Sequence, residues 1–133
     1  FIEKISMSYR ETFSDAKKIL DKYSIGVAHH KVINLISLYD GITISELLKK
    51  LKITKQSLNR VLKDLIEMEI IDFKKDKIDT RLKHVYLNEK GINLFNEIFS
   101  VQKKRIYKAL LNSTSKEVIN FNNVLNKIIN EKI

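Results

Sequence analysis

Over the first 23 positions apolar residues recur at three- and four-residue spacing (Ile2, Ile5, Tyr9, Phe13, Ala16, Leu20, Tyr23), which predicts one amphipathic helix over 2–23. Ser24-Ile25-Gly26 breaks it, and Val32, Leu35, Ile36 and Tyr39 mark one face of a second helix over 28–39 that Asp40-Gly41 ends as a turn. Ile42-Thr43-Ile44 reads as a short strand, with Ser45 as N-cap of a brief helix carrying Leu47, Leu48 and Leu51. Thr54 is a good N-cap for a helix over 55–67, whose apolar stripe is Leu58, Val61, Leu62 and Leu65 at i, i+3, i+4 and i+7. Two β-like runs follow, 70–74 and 83–87, around the polar segment 75–81. Asn88 caps a long helix over 89–111 in which Gly91, falling in the first turn, carries little cost. Asn112 to Ser115 is a further break, and a last helix extends to about residue 131.

Composition agrees with a mostly helical chain. There is no Pro and there are three Gly among 133 residues, so turn-formers are scarce. Zero Cys excludes disulfides, thiolate metal sites and cysteine redox chemistry. His29 and His30 are neighbours that point apart on a helix, so with His84 they offer no zinc spacing, and three Gly cannot form a phosphate-cradling loop. Neither an enzyme nor a cofactor is expected. No apolar run approaches the roughly 18 residues that span a bilayer and no signal-peptide pattern opens the chain, so a soluble cytoplasmic protein without a membrane partner is expected. The first residue is Phe1 rather than Met, so further residues upstream are expected.

The 25 basic and 16 acidic side chains give a net charge of +9, which favours a polyanionic partner. Lys outnumbers Arg by 21 to 4 beside 20 Ile and 11 Asn, a bias of AT-rich coding, so placement of the charge carries more weight than its total. Between Lys49 and Lys83 stand eleven basic and six acidic residues, more than half of the excess in about a quarter of the chain. A second cluster, Lys103-Lys104-Arg105 with Lys108, reads as a solvated helix face.

Two helices joined by a tight turn and followed by a hairpin describe a winged helix-turn-helix. A helix about 10–12 Å across fits the major groove of B-DNA, and there Gln and Asn can pair with adenine, Arg with guanine. Lys55, Gln56, Ser57, Asn59, Arg60 and Lys63 supply those groups on the 55–67 helix. The stretch Asp76-Lys77-Ile78-Asp79-Thr80-Arg81, followed by Val85, Leu87 and Gly91, resembles in register the wing of the MarR family of bacterial transcription regulators. The resemblance runs from about residue 25 to 91. It implies that Arg81 enters the minor groove and that Asp79 holds it. With Ser45, Thr54, Lys77 and Lys83, these complete the candidate DNA-contacting set.

Three departures from the family pattern bear on geometry. Lys77 replaces the usual proline, which predicts a looser wing tip; Thr80 replaces an arginine, removing one phosphate contact; Glu69 replaces a glycine at the end of the 55–67 helix, which must then be capped differently. The resemblance further implies a fold that is mostly α with a small β-hairpin wing, in which 26–91 form the DNA-binding region. Residues 1–25 and 92–133 form dimerisation helices flanking it. The expected function is that of a homodimeric repressor reading a near-palindromic operator on double-stranded DNA, with the 55–67 helix in the major groove and the 75–82 wing in the minor groove. The alternative is a winged-helix module that binds another protein. Family members also bind small-molecule effectors, for which Tyr9, Phe13, His30 and Tyr39 are the candidate lining residues here.

Overall fold

The computed structural model describes residues 1–133. Helix α1 (Ile2–Ser14) and helix α2 (Lys17–Lys22) replace the single helix expected over 2–23. They part at Asp15-Ala16. There the Asp15 carboxylate takes the Arg105 guanidinium (Nη2 to Oδ1, 2.8 Å), Ala16 is wholly buried, and the N–H groups of Ile19 and Leu20 both bond to the Ala16 carbonyl at 3.0 Å, so the helical ladder restarts. The lone cationic face expected around Lys103 to Lys108 is thereby partly neutralised at Arg105.

Helix α3 (Val27–Leu38) leads through Gly41 to strand β1 (Ile42–Thr43), helix α4 (Ile44–Leu51) and helix α5 (Lys55–Glu67). Strand β2 (Ile71–Lys75) and strand β3 (Lys83–Leu87) form the hairpin, followed by helix α6 (Glu89–Leu111) and helix α7 (Ser115–Asn130). The sheet is antiparallel throughout in the order β1-β3-β2, and Val85 at its centre, opposite both Ile42 and Phe73, is fully buried. No helix is long and apolar enough to cross a membrane.

The cap of α4 differs from expectation. Thr43, not Ser45, accepts the Glu46 N–H (3.2 Å), because β1 ends one residue earlier than Ile42-Thr43-Ile44 implied and Ser45 already lies within the first turn. Thr54 caps α5 as expected, and Asn88 caps α6 by accepting the Gly91 N–H at 2.9 Å. Thr114 and Glu117 form a reciprocal capping box at α7, the hydroxyl accepting the Glu117 N–H and the carboxylate the Thr114 N–H.

The chain divides into two compact units, 16–99 on one hand and 1–15 with 100–133 on the other. The first is wider than the 26–91 stretch, because Ala16, Leu20, Leu94 and Ile98 are buried with its core. Every buried hydrophobic side chain belongs to this unit. Leu58, Val61, Leu62 and Leu65 of α5, none above 6% exposed, share it with Ile33, Ile36, Leu47 and Ile70. Burying each such side chain contributes roughly 1.5–3 kcal/mol. In the second unit Gln102 Nε2 reaches the Thr12 carbonyl (3.3 Å), while Ile2, Ile5, Leu111, Phe121 and Ile129 stay exposed.

Two backbone positions carry the junctions around α5. Glu69 takes φ +59° and closes α5 as a Schellman motif, with its N–H on Ile66 O and the Ile70 N–H on Leu65 O, both 2.9 Å. A glycine would adopt that conformation freely; Glu69 does so at a cost, and Asn88 Nδ2 compensates by donating to its carbonyl. Gly91 is more constrained than its place in a first turn implied. A Cβ there would stand 2.1 Å from Ile70 O, the oxygen that accepts the Asn88 N–H, so α6 enters directly against the strand only because the side chain is absent.

Glu69→Gly should therefore stabilise the protein by about 0.5–1 kcal/mol in urea unfolding, as relief of left-handed strain exceeds the added chain entropy. Gly91→Ala should destabilise it by about 1–3 kcal/mol. A neutral Gly91→Ala would mean that α6 can shift away from Ile70 without loss.

Candidate nucleic-acid interface

The turn between α4 and α5 is three residues long. Lys52, at φ +53°, ends α4 with its N–H on Leu48 O (2.9 Å), and Thr54 starts α5 by accepting the Ser57 N–H at 3.1 Å. The Thr54 hydroxyl also donates to Ser57 Oγ at 2.8 Å, so both hydroxyls are engaged in the cap itself. With Leu58, Val61, Leu62 and Leu65 turned into the core, the helical period leaves Lys55, Gln56, Asn59, Arg60 and Lys63 exposed on the far side. No hydrogen bond or ion pair within the chain engages any of these five side chains. Helix α5 is also fastened laterally: His29 Nε2 meets Asp64 Oδ2 at 2.9 Å while His29 Nδ1 accepts the Gly26 N–H. Ser45 is exposed on the first turn of α4.

The wing is built around two aspartates. Asp76 Oδ2 accepts the N–H groups of Ile78 (3.0 Å) and Asp79 (2.9 Å), and the backbone closes below through Asp76 N–H to Leu82 O and Leu82 N–H to Asp79 O, both 3.0 Å. The tip that lacks proline at Lys77 is thus tied by a carboxylate instead. Backbone donation from Asp79, then the His84 ring and the Ile78 N–H, hold the Asp76 carboxyl down at about 2. Asp79 accepts from Arg81 Nε (3.1 Å), from Nη2 (3.3 Å) and from the Arg81 N–H, which lowers its carboxyl below the usual range. The guanidinium is aimed by this fork yet its side chain is 89% exposed. Lys77 is exposed, and Lys83 stands over the Phe73 ring at 5.9 Å.

The residues considered for an effector fall into separate settings. Tyr9 and Phe13 pack ring to ring with centroids 4.4 Å apart. His30 is buried in the core, whereas Tyr39 is exposed beneath the Lys50 ammonium at 4.2 Å. A crevice of about 700 Å³ between Tyr23, Ile70, Asp72, Asn93 and Glu97 contains none of the four. Sequence reasoning missed the part played by His84, whose ring lies between Gly41 O (2.7 Å) and Asp76 Oδ1 (2.9 Å). Its only outward sign was a histidine alternating with Val85 on the wing strand.

A helix, a left-handed turn and a second helix, followed by a hairpin whose strand β3 pairs back to the strand before α4, define a winged helix-turn-helix protein. The MarR family pattern matches residues 23–82. HTH-type transcriptional regulator PetP of Rhodobacter capsulatus is 36% identical over 124 residues, spanning 93% of this chain and 75% of that one. The chain belongs to the MarR family and is a DNA-binding transcription regulator of that type. The crystal structure of a mutant MepR from a multidrug resistant Staphylococcus aureus clinical isolate superposes with a TM-score of 0.84 at 21% identity, covering 96% of this chain and 93% of that one. The Staphylococcus aureus MepR–DNA complex superposes with a TM-score of 0.67 at 21% identity, over 97% of each chain. These two likenesses establish the shared fold.

Proposed function

We propose that the protein is a homodimeric repressor that reads a near-palindromic operator, with α5 in the major groove and the 75–82 wing in the minor groove. The observation that carries this reading is the pairing of an unengaged amide, guanidinium and ammonium face on α5 with an exposed Arg81 that Asp79 already holds in one direction. Gln56, Asn59 and Arg60 are suited to base edges; Lys55, Lys63, Lys77 and Lys83 to phosphates; narrow minor grooves concentrate negative potential and attract an inserted arginine. Ser45, Thr54 and Ser57 stand at helix starts, where hydroxyls and backbone N–H groups meet phosphates. The DNA-bound state of MepR, which has the same fold, supports this geometry.

Dimerisation is supported by the unit formed by 1–15 and 100–133. It contains no buried hydrophobic side chain, yet it exposes Leu111 at 67%, Phe121 at 58% and Ile129 at 75%. Apolar faces of this extent mark a contact surface, and a second copy of the chain supplies a self-complementary one. A two-fold axis then sets the paired α5 helices about 34–36 Å apart, one turn of DNA.

Arg81→Ala should weaken binding to a duplex selected from a random pool by roughly 1–3 kcal/mol. Wild-type affinity should fall on the order of a thousandfold between 50 and 200 mM salt if six or more phosphates are contacted. Binding that is indifferent to both changes would instead favour a module for another protein. Sedimentation at micromolar concentration should return twice the 15.6 kDa chain mass. The double substitution Phe121→Asp with Ile129→Asp should yield folded monomers that lose the selected duplex, whereas a monomeric wild type would overturn the dimer.

A further inference from the structure

We propose that His84 is a positioning residue of the wing: as a doubly donating imidazolium it clamps Asp76 to the Gly41 turn, and loss of its proton releases the wing and weakens specific DNA binding as pH rises. The geometry dictates the proton count. Gly41 O, 2.7 Å from Nδ1, is a carbonyl oxygen and can only accept. Asp76 Oδ1, 2.9 Å from Nε2, belongs to a carboxylate whose other oxygen already takes two backbone N–H groups, so it too can only accept. A neutral imidazole has one N–H and would turn a lone pair toward one of these oxygens at hydrogen-bond distance. Only the charged ring satisfies both sides at once.

The clamp ties two distant pieces of the chain. Gly41 is at φ +80°, beneath the Tyr86 hydroxyl, in the turn that delivers β1 and α4. Asp76 is the base of the wing, and it orders the Asp79 N–H, while Asp79 aims Arg81. His84 therefore acts on DNA only through Asp76 and Asp79, and the consequence for binding rests on the wing-in-groove reading above.

The surrounding charges favour the protonated ring. Besides Asp76, Glu46 on α4 attracts it; Thr43, opposite in β1, is uncharged. Lys74, opposite in β2, holds its ammonium over the Tyr86 ring at 4.8 Å, and Lys83, the strand neighbour, is over Phe73. Asp79 is neutralised by Arg81. Donation to Gly41 O, then to the Asp76 carboxylate, raises the His84 pKa above its ordinary 6.5 against a smaller opposing effect of burial. A group raised on folding keeps its contribution below the unfolded value and loses it as pH rises through the folded one, so the wing is clamped on the acid side of that midpoint and freed above it.

The test is an NMR titration of the His84 ring in the full chain from pH 5.5 to 9, read with the Ile78 and Asp79 amides. It is joined to affinity for the selected duplex across the same range at constant salt, for wild type, His84→Gln and His84→Arg. The expected result is a His84 midpoint above 6.5 shared by both amides. Wild-type affinity should fall about three- to tenfold through that midpoint, His84→Gln should be weak and flat with pH, and His84→Arg should regain flat, tighter binding. A midpoint at or below 6.5, or parallel profiles for wild type and His84→Gln, would overturn the proposal. Should no duplex be bound at any pH, the DNA reading fails, while the ring and amide titrations still decide whether the clamp exists.

Discussion

Everything that α5 can offer depends on the burial of Leu58, Val61, Leu62 and Leu65. Four side chains at i, i+3, i+4 and i+7, each nearly excluded from water, fix the rotation of the helix about its axis as well as its depth in the core. Once that rotation is set, the outward positions of Gln56, Asn59, Arg60 and Lys63 follow from 100° per residue and need no further interaction to specify them. The helix start is fixed by Thr54 and its end by the left-handed Glu69, so translation along the axis is also constrained. A rigid scaffold of this kind presents polar groups without ordering them first, and ordering them first is a cost that binding would otherwise bear.

The wing is held by a different kind of force. Its tip contains no buried apolar residue, and Ile78 is 96% exposed, so hydrophobic burial cannot define it. Two carboxylates take over: Asp76 gathers backbone N–H groups, Asp79 gathers a guanidinium, and the two sets of bonds interlock at the Asp79 N–H. Such an element is stabilised by directional bonds to ionised groups. The position of α5, by contrast, is set chiefly by apolar burial.

How legible each part was follows from the same distinction. The stripe of α5, the Thr54 and Asn88 caps and the strand over 83–87 all depend on local periodicity or on a side chain reaching three residues along, and they could be read directly. The division of 2–23 at Asp15-Ala16 could not, because the contact made there joins Asp15 to Arg105, ninety residues away. The displacement of the α4 cap from Ser45 to Thr43 reflects the pairing of Ile42 and Thr43 with β3, also remote in the chain. Gly91 looked inexpensive in a first turn, whereas its necessity arises from the Ile70 carbonyl that the hairpin brings against it. His84 belongs to this group as well: its two partners lie eight and forty-three residues away, and no spacing rule joins them.

Apolar burial is uneven along the chain. The core is confined to 16–99, whereas exposed apolar residues are concentrated in 1–15 and 100–133. The continuous helix α6 belongs to both units, with Leu94 and Ile98 in the core at one end and exposed Leu110 and Leu111 at the other. One continuous helix thus carries buried apolar side chains at one end and exposed ones at the other, a contrast that burial in the core alone does not account for.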